Sequence, residues 1–162
     1  MFALSVAVAK VVPAGECLEL TGQWPYGPAS AVALSGARAF LGSGSAVMIA
    51  DIGSATGFEV IGSMAMPGVV EAIDVMPGPR ALVAGSFGLR IVDFTVPEEP
   101  WIVSSLDTDL PVKDVEWYGS FAYAVTVERL LVVDVSSGPN LSVYDRSDRI
   151  WPTGVSVVYP FA

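Results

Sequence analysis

Histidine is absent from this 162-residue chain. That removes Ser-His-Asp and Cys-His nucleophile systems and every His-ligated metal site. Cysteine occurs once, at Cys17, so no intrachain disulfide can form. A lone cysteine is ordinarily a small buried hydrophobe, and Glu16 stands where a lipidation signal would place a small residue. Charge is scarce, at 15% of residues against a usual share of about 25%. Eight Lys and Arg face 17 Asp and Glu, for a net charge of −9. Nucleic-acid binding needs clustered cations on the phosphates, and Arg146 with Arg149 is too small a cluster. No apolar run approaches the roughly 20 residues of a membrane-spanning helix. Gly42-Ser43-Gly44-Ser45 lacks the Lys and the following helix of a phosphate loop.

Apolar residues, at 52%, are ample for a packed core and exclude disorder. They are arranged in a repeat. One series is Ala31-Val32-Ala33-Leu34, Ala72-Ile73-Asp74-Val75, Asp114-Val115-Glu116-Trp117 and Gly154-Val155-Ser156-Val157, with steps of 41, 42 and 40 residues from Val32. Phe40, Leu82 and Tyr123 mark a second series, 42 and 41 apart. The third is Val47 to Ile52, Leu89 to Phe94 and Leu130 to Val135, whose aspartates Asp51, Asp93 and Asp134 keep the same spacing. A looser fourth series runs through Phe58 to Met64, Trp101 to Leu106 and Leu141 to Tyr144.

Each unit reads as four short strands, β-branched or aromatic, punctuated by Gly, Pro and Ser. Helix is disfavoured because no segment keeps a 3.6-residue period for three turns and Pro recurs throughout. In the third strand Leu89 and Ile91 point one way and Val92 and Phe94 the other, so that strand must be covered on both faces. A period near 41 with four strands per unit is the arithmetic of a β-propeller. The expected fold is all-β: a propeller segment with blades at about 29–67, 70–111 and 112–152, a fourth begun at 153–162, and an N-terminal strand near Cys17 to Thr21 resembling an outermost strand. Propellers close with four to eight blades. The expectation is therefore a piece of a longer propeller, or a chain that closes with a second copy, with further blades or that copy as partner.

The third-series strings Gly88-Leu89-Arg90-Ile91-Val92-Asp93 and Leu130-Leu131-Val132-Val133-Asp134-Val135 resemble the motif that names the LVIVD-repeat family. Trp24-Pro25-Tyr26-Gly27-Pro28-Ala29, followed by Ala31-Val32-Ala33-Leu34-Ser35-Gly36, is similar to the first blade of such proteins, and the resemblance covers roughly 17–162. The family's Gly-rich turn before the motif survives in Gly85-Ser86-Phe87-Gly88 but not in Val125-Thr126-Val127-Glu128, and Ile52-Gly53-Ser54-Ala55-Thr56 lacks the Pro of its usual following turn. The resemblance implies a bacterial or archaeal propeller, secreted or on the cell surface, with no assigned chemistry. Residues 1–15 are signal-like, with an apolar run from Phe2 to Ala9 and small residues at Val12-Pro13-Ala14; the alternative is a buried strand.

Asp51, Asp93 and Asp134 recur once per unit near strand ends, where an Asp fixes a turn by accepting backbone N–H bonds. Asp74 and Glu116 share an equivalent place on the first, innermost strand, flanked by Glu71, Lys113 and Asp114. Carboxylates converging there would serve as Ca²⁺ ligands or as a glycosidase pair; the plain alternative is a solvated channel with Glu71 and Asp114 paired to Lys113. Asp107-Thr108-Asp109 lacks the Gly and terminal Glu of an EF-hand loop. Trp24, Tyr26, Trp117, Tyr118, Trp151 and Tyr159 fall near first-strand ends or loops, as rim contacts for a protein or polysaccharide or as packing between blades. The expected function is a non-enzymatic extracytoplasmic scaffold, with a channel-carboxylate hydrolase or a calcium-stabilised module as alternatives. No cofactor other than Ca²⁺ is suggested.

Overall fold

The computed structural model describes residues 7–9, 20–23, 28–54, 57–136 and 140–157. Among them are fourteen strands and no helix: β1 Ala7–Ala9, β2 Leu20–Gln23, β3 Ala31–Ser35, β4 Arg38–Ser43, β5 Ala46–Asp51, β6 Glu59–Ala65, β7 Val70–Met76, β8 Arg80–Gly85, β9 Gly88–Asp93, β10 Trp101–Leu106, β11 Val112–Tyr118, β12 Phe121–Thr126, β13 Leu130–Asp134 and β14 Ser142–Arg146. Among the described residues no helix is long and apolar enough to cross a membrane.

Twelve of the strands form three four-stranded antiparallel sheets, each a meander in chain order: β3 to β6 (sheet 1), β7 to β10 (sheet 2) and β11 to β14 (sheet 3). Among the described residues no strand ladder joins one of the three to another. They fall where the repeat arithmetic puts them. Tight turns with left-handed glycines at Gly36, Gly44, Gly78, Gly88 and Gly119 link consecutive strands. The N-terminal expectation is altered: Leu20–Gln23 pairs antiparallel with Ala7–Ala9 as a two-stranded ribbon. Cys17, Trp24, Tyr26 and Tyr159 lie outside the described residues.

The core lies between sheets. Phe40, Val47 and Ile49 of sheet 1 pack with Ile73, Val83, Val92 and Phe94 of sheet 2. Leu82, Leu89 and Ile91 of sheet 2 pack with Val115, Ala124, Leu131 and Val133 of sheet 3. The two faces of β9 thus serve two different cores, which is why that strand reads as a continuous apolar run. The inner-edge strands β3, β7 and β11 lie side by side. At the outer side Gly62 of β6 rests against the Pro97 carbonyl with no room for a Cβ, so the loop after β9 reaches over sheet 1.

Leu82 is fully buried between sheets 2 and 3. Leu82→Ala should lower unfolding free energy by about 2–5 kcal/mol, and Gly62→Ala by about 1–3 kcal/mol through displacement of the Pro97 loop; urea melts of the two variants check both.

Candidate functional site

The repeated aspartates are turn residues. Asp51 Oδ1 accepts the Gly53 N–H at 2.7 Å. Asp93 Oδ1 accepts the Thr95 N–H at 2.8 Å and hydroxyl at 2.6 Å, and Asp134 Oδ1 accepts the same pair from Ser136 at 2.8 and 2.7 Å. A carboxylate followed two residues on by Ser or Thr is a turn that closes on itself. Asp93 also faces Arg80 Nε at 3.5 Å. Burial pushes the Asp93 carboxyl up, but the Thr95 hydroxyl and N–H and the Arg80 guanidinium together push it further down, leaving it below its ordinary 3.8.

The innermost-strand carboxylates are joints between sheets. Asp74 Oδ2 accepts the Trp117 N–H at 2.6 Å, 43 residues away on β11. Asp114 Oδ2 accepts the Val155 N–H at 2.9 Å and Glu116 Oε2 the Val157 N–H at 2.6 Å, each 41 residues away. The second oxygens of Asp74 and Asp114 accept the next residue's own N–H, from Val75 at 2.8 Å and Val115 at 2.9 Å. Lys113 Nζ donates to Glu71 Oε1 at 2.6 Å, linking β11 to β7. The expected Lys113–Glu71 pair is therefore present, whereas Asp114 turns instead to Val155. Sheet 1 has Ala33 at the position of Asp74 and Glu116, and its joint uses Ser30, whose hydroxyl donates to the Val70 carbonyl at 2.7 Å. Residues 154–157 form no ladder and are held to β11 by the Asp114 and Glu116 bonds.

The structure gathers Glu71, Asp74, Asp114 and Glu116 on neighbouring inner strands, and binds the first two to sheet 3 and the last two to the 154–157 segment. Among the described residues no group of three or more His, Cys, Asp or Glu side chains could hold a metal ion. Trp117 packs against the core between sheets 2 and 3. Tyr118 is half-buried at the end of β11. Trp151 is exposed, at φ 51°, in a turn whose Ile150 N–H donates to the Glu128 carbonyl at 2.9 Å.

Another surface was not legible from the spacing. A cleft of about 750 Å³ opens between the 107–110 loop after β10, the β12–β13 turn and the end of β14. Leu110, Leu131 and Val143 supply its apolar lining, and Asp107, Asp109, Glu128, Asp145, Arg129, Arg146 and Arg149 its charges. Its walls are braced. Arg90 is buried, donates to the Leu89 and Leu106 carbonyls at 2.8 and 3.3 Å, holds Asp107 at 2.6 Å and lies 5.2 Å from the Phe87 ring centroid. Arg149 Nε meets Glu128 Oε2 at 3.0 Å. Asp107 is thus a loop anchor rather than half of a calcium loop. Arg129 and Arg146 form no ion pair among the described residues. The one sequence signal for Arg90 was a cation inside an otherwise apolar strand.

A carboxylate held below its ordinary value adds stability that is fully present above about pH 4 and is lost as pH falls through the lower folded value. Asp93→Asn should cost about 1–2 kcal/mol at neutral pH, the half-exposed Arg80 adding little. The gap in melting temperature between the two proteins should narrow as pH falls below 3.8; a gap constant with pH would contradict the assignment.

No family model matches the chain, and no curated protein matches it. Solved structures do. The chain is similar to the computationally designed Ika8 protein, at 11% identity and a TM-score of 0.65 over 82% of this chain and 41% of that one. It is likewise similar to the computationally designed Ika4 protein, at 11% identity and a TM-score of 0.66 over 81% of this chain and 80% of that one. The chain thus spans less than half the length of Ika8 and most of Ika4, and at such identity the likeness is one of fold alone.

Proposed function

We propose that this chain is a β-propeller-type repeat protein of the LVIVD kind, acting outside the cytoplasm as a non-enzymatic scaffold that holds a polypeptide partner in the cleft between the 107–110 loop and sheet 3. The observation that carries the non-enzymatic part is the engagement of the inner carboxylates. Both oxygens of Asp74 and of Asp114 accept backbone N–H groups. A general base or a glycosidase nucleophile needs an oxygen free to meet substrate or its proton. The extracytoplasmic part is supported by the signal-like residues 1–15 and the motif resemblance.

The cleft's chemistry selects the partner. Four carboxylates and three guanidinium groups line it around an apolar patch. A polyanion would meet Asp109 and Asp145, and a neutral sugar would strand two unpaired guanidinium groups. A peptide segment carrying both charge signs satisfies both sets. Charge complementarity of this kind sets specificity and encounter rate more than raw affinity.

An array of peptides of acidic, basic, mixed and neutral composition tests this with the purified protein. Mixed-charge peptides should bind, and the Arg129→Ala, Arg146→Ala double variant should bind them about tenfold more weakly, the equivalent of about 1.4 kcal/mol. Binding that the double variant retains in full, or an array with no mixed-charge preference, would overturn the reading.

A further inference from the structure

The two ends of the stack are unfinished in complementary ways. Sheet 1 turns its Ala39, Leu41 and Ala50 side away from sheet 2, and these form a core cluster that includes no residue of sheets 2 or 3. Leu41 is nevertheless only 1% exposed and Ala50 0%. On the same side the inner strand β3 is bare, with Val32 53% and Leu34 64% exposed. The equivalents of Val32 in sheets 2 and 3, Ile73 and Val115, are buried against the preceding sheet. Sheet 1 therefore lacks an inner strand opposite β3, while its middle strands are covered.

Sheet 3 shows the reverse. Residues 154–157 already occupy its inner edge through Asp114 and Glu116. Beyond that edge its middle and outer strands are open. Tyr123 and Val132 are half-buried, although their equivalents Phe40, Ile49, Leu82 and Ile91 are buried under a following sheet. Tyr144, ring to ring with Phe121 at 5.1 Å, is 71% exposed. One place has its middle strands covered and its inner strand bare; the other has its inner edge occupied and its middle and outer strands open.

We propose that both belong to a single fourth sheet, with residues 154–157 as its inner strand and the β1–β2 ribbon as its outer strands, packed between the free sides of sheets 1 and 3. Among the described residues the ribbon is the one pair of strands outside the three sheets. Its two strands and the 154–157 segment come from opposite ends of the described chain, so their pairing would lock the ring. Four sheets is the smallest number with which propellers close. The fourth sheet buries Val32 and Leu34 under 154–157, and Tyr123, Val132 and Tyr144 under the ribbon. The inference rests on the propeller-type reading, and of the residues that line the cleft it involves Tyr144 alone.

The single cysteine makes the test simple. A nitroxide on Cys17, three residues before β2, should broaden the amide resonances of Val155 and Val157 together with those of Val32 and Leu34. The broadening should persist in the labelled ¹⁵N protein diluted with unlabelled, diamagnetic protein, and should be absent when the nitroxide sits only on the ¹⁴N partner of a mixture. Broadening confined to sheet 1, or broadening that arises only between molecules, would overturn the proposal, the second result in favour of closure by another copy. Where labelling at Cys17 disturbs folding, Gln23→Cys in a Cys17→Ser background carries the same label. Nuclear Overhauser contacts from Ile49 to Val83 and from Ile91 to Val133, read in the same sample, report separately on the stacking of the three sheets.

Discussion

A carboxylate on an innermost strand, accepting a backbone N–H from the segment one repeat further along the chain, is the constraint on which the rest of this structure depends. Apolar packing between sheets is strong but not directional, and two sheets pressed face to face can slide. The joints from Asp74 to Trp117, from Asp114 to Val155 and from Glu116 to Val157 set the offset at one repeat. They also satisfy N–H groups at sheet edges that would otherwise be left open. With that register set, Leu82 and Ile91 meet Val115 and Val133, and the 107–110 loop, the β12–β13 turn and the end of β14 frame a cleft.

Residue type alone does not assign a role in such a fold. Asp74 and Asp93 belong to one sheet and one repeat. Asp93 lies at the end of β9 and folds its carboxylate into its own turn; Asp74 lies on an inner-edge strand and reaches the neighbouring sheet. The difference comes from which strand each occupies and which backbone N–H groups that position leaves unpaired. The same logic explains Arg90, a cation kept inside the protein because two carbonyls, a carboxylate and an aromatic face surround it.

The three sheets were legible in the sequence because period, strand length and turn residues all agreed. The Phe40, Leu82 and Tyr123 series and the Asp51, Asp93 and Asp134 series locate β4, β8 and β12 and the ends of β5, β9 and β13. The turn role of Asp93 and Asp134 was legible too, since the Thr or Ser two residues on is a local signal, and Asp51 has Ser54 three residues on. Two things were not. The partners of Asp74 and Asp114 are backbone N–H groups some 40 residues distant, and an N–H leaves no trace in a sequence. The cleft joins Asp109, Arg129 and Arg146 from three connections, and no pattern within one repeat announces their meeting. The N-terminal strand was foreseen as one strand; its pairing with Ala7–Ala9 fell inside a segment whose composition reads equally as a leader.

Amide hydrogen exchange tests the central claim most directly. The Trp117, Val155 and Val157 amides should be strongly protected in the wild-type chain. In Asp74→Ala the Trp117 amide alone should lose protection, and in the Asp114→Ala, Glu116→Ala double variant those of Val155 and Val157, while the β8 and β12 ladder amides stay protected. Unchanged protection of these three amides in the variants would contradict the account, for the inner carboxylates would then be free of the joints.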